Sequence, residues 1–228
     1  MSPYARRNPN PGQTAEEFNR VGRRLPGQRS AYERAWHYLQ QGRCAYPSSA
    51  ALVRHLWRGP LHFELCEADD DTADEIIEWQ QSLGPNTSSS LHRGDWRVRF
   101  RREFSSDCAV HLVSFDPYMF DRHGPAASPK QGNMWPDDID IVGAAAPDFG
   151  ERVVLQLSTY SANNANAQDD VIASIEPDLS SAGLGLAATV RADGNMMSLI
   201  FARGVGQIRK AELPRRFAGW LKRAAAPA

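Results

Sequence analysis

Lysine is nearly absent: of 26 basic residues only Lys130, Lys210 and Lys222 are lysine, and the rest are arginine. Arginine grips phosphate bidentately and stacks on bases, although genome base composition can also favour it. Charge of one sign is lacking too. The net charge of −1 gives no overall field to steer the chain to nucleic acid or membrane, so any electrostatic footprint has to be a local patch. Cysteine is limited to Cys44, Cys66 and Cys108, far apart and without a Cys-x-x-Cys pair. That excludes a zinc ribbon or a disulfide framework, and no metal site is expected. Free thiols suit a reducing compartment and a cytoplasmic location. No stretch approaches the ~18 apolar residues of a membrane span, and Met1 to Gln13 lacks the apolar core of a signal peptide. A P-loop, a nucleophile elbow and a Ser-His-Asp order are all missing, so nothing supports a kinase or a hydrolase. There is no internal repeat.

What is present is the pattern of one α/β domain with an arm. The 228 residues carry 42% hydrophobic and 23% charged side chains, ordinary values for a globular chain. The expected division is a flexible arm over 1–13, a helical segment over 14–58 and an α/β domain over 59–228. Thr14 with Glu17 forms a capping box for a helix from Ala15 to about Arg24. A second helix follows from Ser30 to Gln41, and a third runs from Ser48 or Ser49 to Trp57, stopped by Gly59-Pro60. Leu61 to Leu65 reads as a short strand, the acidic run from Glu67 as the approach to a helix over Thr72 to Leu83, and Gly84 to Gly94 as a Ser-rich loop. The alternation of Trp96, Val98 and Phe100 with Arg97, Arg99, Arg101 and Arg102 predicts a strand with one basic, wet face. Val110 to Phe115 is nearly continuous in apolar residues, as a strand buried in a parallel sheet would be. Further helices are expected at Asp137 to Ala145 and from Asp169 to about Ile175, where Pro177 would end or kink the second. Val153 to Leu157 predicts a buried strand. Leu184 to Val190 and Met197 to Phe201 predict a hairpin turned at Asp193-Gly194. A basic amphipathic helix is expected at Leu213 to Ala225. Alternating strands and helices imply a mostly parallel sheet with helices on both faces, closed by a C-terminal antiparallel hairpin.

The sharpest chemical signal is Ser114-Phe115-Asp116-Pro117-Tyr118, directly after the most apolar strand. In an open α/β sheet, ligands bind beyond the carboxyl ends of the strands. Asp116 there can accept a hydrogen bond from an exocyclic amine, the Pro117 carbonyl can accept another, and Tyr118 offers a face on which a flipped base stacks. An Asp-Pro turn after a strand, with Tyr118 in the core, is the plainer alternative. Tyr160 and Asn163 follow another strand end and can line the substrate side of the same cleft, or simply form a polar loop. The acidic run Asp69 to Glu75 is explained by helix capping rather than by a cation. His62 and His111 have no paired ligand nearby. Arg99 and Arg101 on the basic strand, and Arg209 to Arg223 around the last helix, can contact phosphates, which position a nucleic acid without reading it.

These residues resemble those of the class I S-adenosylmethionine (SAM)-dependent methyltransferases, in particular the RlmJ-type ribosomal RNA adenine-N6 methyltransferases. The likeness runs from about Gly42 to Val205. Tyr46-Pro47-Ser48-Ser49 resembles that family's Tyr-Pro-Gly-Ser entry to a helix, Phe115 to Tyr118 its Asp-Pro-Pro-Tyr catalytic motif, and Gly183 to Phe201 its closing hairpin. The resemblance implies a Rossmann-like methyltransferase sheet and SAM as cofactor. It implies that Asp116, Pro117 and Tyr118 act on adenine N6 of nucleic acid, RNA before DNA. Glu64 is then the acid that holds the SAM ribose, and Glu103 the adenine-holding acid after the next strand. Two departures stand out. Nothing before residue 42 forms the family's apolar opening strand, and Asn8 to Gly12 is the only candidate for its Gly-rich loop. They motivate the alternative, a catalytically inactive relative that binds nucleic acid, or a partner or second copy that completes the sheet.

Overall fold

A computed structural model describes residues 5–6, 46–47, 49–57, 59–102, 108, 110–117, 119–121, 124, 132–160, 165–191 and 196–205. The expected helices at 15–24, 30–41 and 213–225 lie outside these residues. The chain is a mixed α/β structure with two compact units, one up to Arg99 and one from Phe100 on.

The first unit holds a two-residue pairing of β1 (Ala5–Arg6) with β2 (Tyr46–Pro47), helix α1 (Ser49–Leu56), and the parallel pair β3 (Leu61–Glu67) and β4 (Thr87–Arg93) joined by α2 (Asp70–Gln81). Glu67 Oε1 accepts from Asp69 N at 3.0 Å, and Asp69 in turn caps α2 by accepting from Thr72 N at 2.8 Å. Ala73, Ile76 and Trp79 form the buried stripe of α2, at the spacing of one helical face. Trp79 meets the Phe63 ring edge-on at 5.4 Å. Burial alternates over the first five residues of each strand, which gives β3 and β4 one wet face there.

Two expectations are corrected here. The serine-rich stretch taken as a loop is a strand, β4, and the basic segment taken as a strand is the short helix α3 (Trp96–Phe100). Serine is tolerated in β4 because Ser88 and Ser90 lie on the wet face, while Ser89 takes a hydrogen bond from Gln80 Nε2 at 2.7 Å. Gly94, at φ +122°, ends β4. Asp95 then starts a helix: its side chain accepts from Arg97 N at 3.0 Å and its carbonyl from Val98 N at 3.1 Å. Local capping overrides the two-residue alternation. The basic strand face of Arg97, Arg99, Arg101 and Arg102 therefore does not exist.

The second unit is a four-stranded sheet in the order β5-β6-β8-β7, with β5 (His111–Phe115), β6 (Val153–Tyr160), β7 (Gly185–Arg191) and β8 (Met196–Arg203). Only β5–β6 is parallel; β6–β8 and β8–β7 are antiparallel. The expected C-terminal hairpin is present, and the expected mostly parallel sheet is matched only in part among the described residues, by the pairs β3–β4 and β5–β6. The described strands form three separate ladders, and none joins β5 to β3 or β4. The strand read as fully buried is, among the described residues, an edge, and Leu112 is 54% exposed.

Helix α4 (Pro136–Ala145), a short 3-10 turn (Ala146–Phe149) and helix α5 (Ala165–Ser181) complete this unit. One side of the sheet is the core: Val153, Leu155, Leu157, Leu199 and Phe201 are essentially inaccessible, as are Ile139, Val142, Phe149, Ile175 and Leu179 from the helices. Helix α5 passes through Pro177 instead of stopping there. Val171, Ile175 and Leu179 are buried at four-residue spacing across the proline, so core packing outweighs the lost backbone donor. The helix ends at Gly183 (φ +80°) in paired bonds from Leu184 N to Leu179 O and from Gly183 N to Ser180 O, the arrangement a left-handed glycine permits.

Arg203 closes the unit. Its guanidinium donates to the carbonyls of Ala146 at 2.6 Å, Gly150 at 2.7 Å and Ala182 at 3.4 Å, satisfying groups at two helix ends that lack intrahelical partners. The next residue, Gly204, has φ +66°, and a Cβ there would lie 2.0 Å from the Glu151 carbonyl oxygen. Gly204→Ala combines a strained backbone with a clash against main chain. It should destabilise the protein by about 2–4 kcal/mol, read as a lower urea midpoint at unchanged slope.

Candidate functional site

In the second unit, β5 and β6 run in parallel and are joined through α4, so their carboxyl ends and the start of α4 belong to the same end of the unit. Asp116 emerges there, exposed, one residue beyond the last paired rung, Phe115–Leu157. Pro117 beneath it is buried. Phe115 is held by the Phe100 ring at 5.2 Å, and Phe100 also meets Phe149 at 6.1 Å. The chain after Pro117 is tied down: Met134 N donates to Met119 O and Asp121 N to Met134 O, both at 2.9 Å, with Phe120 and Met134 buried at the bridge. Asp138, buried in the first turn of α4, accepts from Trp135 N at 2.9 Å, the reciprocal half of a capping box. Asp116 thus stands on a strand end braced on both sides.

The expected site residues divide between the units. Asp116 and Pro117 are neighbours as expected. Tyr118, Asn163 and Glu103 lie outside the described residues. Tyr160 is the last residue of β6. Arg101 is exposed in the turn after α3. Glu64 and Arg99, assigned to cofactor and to substrate, are paired with each other in the first unit.

Glu64 lies in the middle of β3, since the strand continues to Glu67. Its Oε2 receives Arg99 Nε at 3.2 Å and lies 3.0 Å from Arg99 Nη2; its Oε1 faces His62 Nε2 at 3.2 Å, and Ser90 donates to the same carboxylate. His62 Nδ1 is 2.8 Å from Ser88 Oγ. A carboxylate has about four acceptor positions, and these neighbours use them. Burial pushes the Glu64 pKa up, but the bonds from His62, Ser90 and Arg99 outweigh it and hold the group below its ordinary 4.5. Cys66, on the same strand, is pushed up to about 11, first by burial and then by Glu64 and Asp95, against the opposing pull of Arg99. Its thiol stays protonated at neutral pH and is no nucleophile.

The acid at the carboxyl end of β3 is Glu67, which sequence reasoning passed over by ending the strand at Leu65. Periodicity could not have found it, because Cys66 and Glu67 break the alternation of Leu61, Phe63 and Leu65. Among the described residues no cluster of His, Cys, Asp and Glu could hold a metal ion, and no helix is long and apolar enough to cross a membrane.

No family model and no curated protein matches the chain. Among solved structures, one similar protein is from Pyrococcus horikoshii, provisionally assigned as an RNA methyltransferase. It is 12% identical over 84% of this chain and 96% of its own, at a TM-score of 0.38. The precorrin 8W decarboxylase of Methanobacterium thermoautotrophicum is 12% identical over 65% of this chain and 83% of its own, at 0.33. The pyocyanin biosynthetic protein PhzM is 12% identical over 83% of this chain and 62% of its own, at 0.35. Superpositions this loose establish neither a common fold nor a common activity.

Because Glu64 has a depressed folded pKa, its contribution to stability is present above the unfolded value and is lost as pH falls through the folded one. Glu64→Gln should therefore lower the urea midpoint at pH 6–7, and the gap to the parent should narrow below the ordinary 4.5 and close as pH falls through the depressed folded pKa. A gap that persists undiminished into acid would contradict the ionic role of Glu64.

Proposed function

We propose that the chain is a SAM-dependent methyltransferase acting on an exocyclic amine of nucleic acid, adenine N6 in RNA before DNA. The observation that carries this reading is the exposed Asp116 on the buried Pro117, at the carboxyl end of a strand with a parallel neighbour, where α/β sheets bind their ligands. The Asp116 carboxylate accepts one amine hydrogen and the Pro117 carbonyl the other. That holds the amine still and raises the electron density on its nitrogen. Tyr118 stacks the flipped base, Tyr160 and Asn163 serve the substrate, and Arg101 contacts phosphate.

When bound, SAM supplies the electrophilic methyl group, so the protein's task is placement and exclusion of water. For the cofactor's ribose the sequence reading assigns Glu64. Glu67, at the carboxyl end of β3 where ligand-binding residues of such sheets lie, is the second candidate. Glu103 remains the proposed partner of the cofactor's adenine.

A second reading has one observation in its favour. The outer edge of β5 bears no partner strand among the described residues, and Leu112 and Val110 are exposed there, as a sheet completed by another chain would require. A catalytically silent scaffold of this kind binds no SAM.

Two substitutions test the first reading. Asp116→Ala should reduce methyl transfer to an adenine-containing RNA by about 100-fold or more and leave the affinity for S-adenosylhomocysteine within twofold. Unchanged transfer refutes the role of Asp116. Glu67→Gln should weaken S-adenosylhomocysteine about tenfold, the scale of one hydrogen bond to a charged group, as read by the thermal shift the ligand produces; Glu64→Gln should weaken it less.

A further inference from the structure

In the first unit, the parallel register of β3 and β4 sets His62 beside Ser88 and Glu64 beside Ser90 on the wet face. His62 bridges two of these groups: its Nε2 is 3.2 Å from Glu64 Oε1, and its Nδ1 is 2.8 Å from Ser88 Oγ. Glu64 sets the direction of both bonds. Burial raises its carboxyl, but the bonds from His62, Ser90 and Arg99 outweigh burial and keep it ionised at neutral pH. An ionised carboxylate has no proton to give, so in the neutral imidazole Nε2 carries the hydrogen and donates to Oε1. Nδ1 is then a bare lone pair, and towards it the Ser88 hydroxyl can only donate. Arg99 Nε and Nη2, at 3.2 and 3.0 Å from Glu64 Oε2, hold the carboxylate from its other oxygen. A hydroxyl donating to an imidazole whose second nitrogen is held by a carboxylate is the arrangement that makes serine a nucleophile. The main chain adds a further part. Leu61 N donates to Asn86 O and Gly94 N to Glu67 O, so the even-numbered residues of β4 turn their main-chain groups toward β3. The N–H of Ser89 turns the other way, to an edge that bears no partner strand among the described residues. A donor on the residue after a nucleophile is placed to stabilise the oxygen of a tetrahedral intermediate.

We propose that Ser88 is the nucleophile of an esterase site, independent of the methyltransferase reading, with His62 as general base and the Ser89 N–H as oxyanion donor. Glu64 is a positioning residue that acts through His62. Ser88, His62 and Glu64 are exposed on an open strand face, which suits a small, unhindered acyl ester. Ser88 Oγ bonds to the acyl carbon while His62 Nδ1 takes the hydroxyl proton. The bond from that carbon to the alcohol oxygen breaks, and the alcohol leaves with the proton from His62. Water then attacks the acyl-serine and gives a proton to His62. The carboxylic acid departs, and Ser88 recovers its proton from His62. Chain order hides the site, because its members meet only through the register of β3 with β4.

The probe is a fluorophosphonate, which a nucleophilic serine attacks at phosphorus with loss of fluoride. The full chain is labelled folded and in denaturing urea, and the label is located by peptide mass spectrometry. The folded parent should carry it on Ser88, and the unfolded chain and Ser88→Ala should carry none there. His62→Gln should be labelled about 100-fold more slowly, the scale of a lost general base. The parent should also release p-nitrophenol steadily from p-nitrophenyl acetate, and Ser88→Ala should not. Nitrogen-15 NMR of the His62 ring reads the arrangement in the unsubstituted chain: Nε2 should be protonated and Nδ1 bare. In Glu64→Gln the two tautomers should mix, and labelling should slow at least about tenfold. No label on the folded parent, a label on another residue, or labelling that survives unfolding overturns the inference. So does a His62→Gln variant labelled at the parent's rate, a His62 ring protonated at Nδ1 alone, or p-nitrophenol release that stops after one equivalent or persists in Ser88→Ala.

Discussion

The position of everything in the second unit depends on β6. Among the described residues it is the one strand with a parallel neighbour on one side and an antiparallel neighbour on the other, and its register with β8 runs unbroken from Val153–Arg203 to Tyr160–Met196. One face of it, Val153, Leu155, Leu157 and Thr159, is sealed against the core. A slip of one residue would turn that face to the wet side and Gln156 and Ser158 into the core. With β6 locked, β5 can end only where it does, which puts Asp116 just past Leu157. Arg203 at one end of the β6–β8 ladder and the Ser158–Ser198 pair toward the other tie the same register to the helix ends and to the polar face.

The two faces of this sheet have different work. The core face is apolar and continuous with α4, α5 and the 3-10 turn. The opposite face carries hydroxyls and an amide whose hydrogen bonds are mostly internal. Buried polar groups of this sort are tolerable only when satisfied, and here Gln156, Ser158 and Ser198 satisfy one another. In the first unit the wet face of β3–β4 is polar as well, but there the groups saturate one another. Arg99 is held to Glu64, which anchors α3 to the sheet and removes both residues from easy use by a ligand.

Much of this was legible in the sequence where burial sets the pattern. Leu61, Phe63 and Leu65 announced β3, the apolar runs announced β5 and β6, and Asp193-Gly194 separated the strands of the hairpin. The site's sharpest feature, Asp116-Pro117 at a strand end, was legible for the same reason. The failures have local causes. Trp96 to Phe100 has the alternation of a strand, yet Gly94 and Asp95 supply a stop and a cap that only a helix uses. Ser88 to Ser90 looked like a loop because a strand with a wet face needs no apolar residue there. Pro177 looked like a terminus because the burial of Leu179 beyond it cannot be seen from propensity. Glu67 was missed by two residues of strand length, and the Gln156–Ser158–Ser198 network depends on cross-strand register, which single-strand periodicity does not contain.

The central claim, that the Asp116 strand end receives an amine for methylation, is tested most directly by product analysis. The intact chain is incubated with methyl-labelled SAM and mixed single-stranded RNA and DNA, and the nucleic acid is digested to nucleosides. The account predicts label in N6-methyladenosine, more from RNA than from DNA. Label confined to ribose or to ring carbon, or no label in any nucleoside, would contradict it.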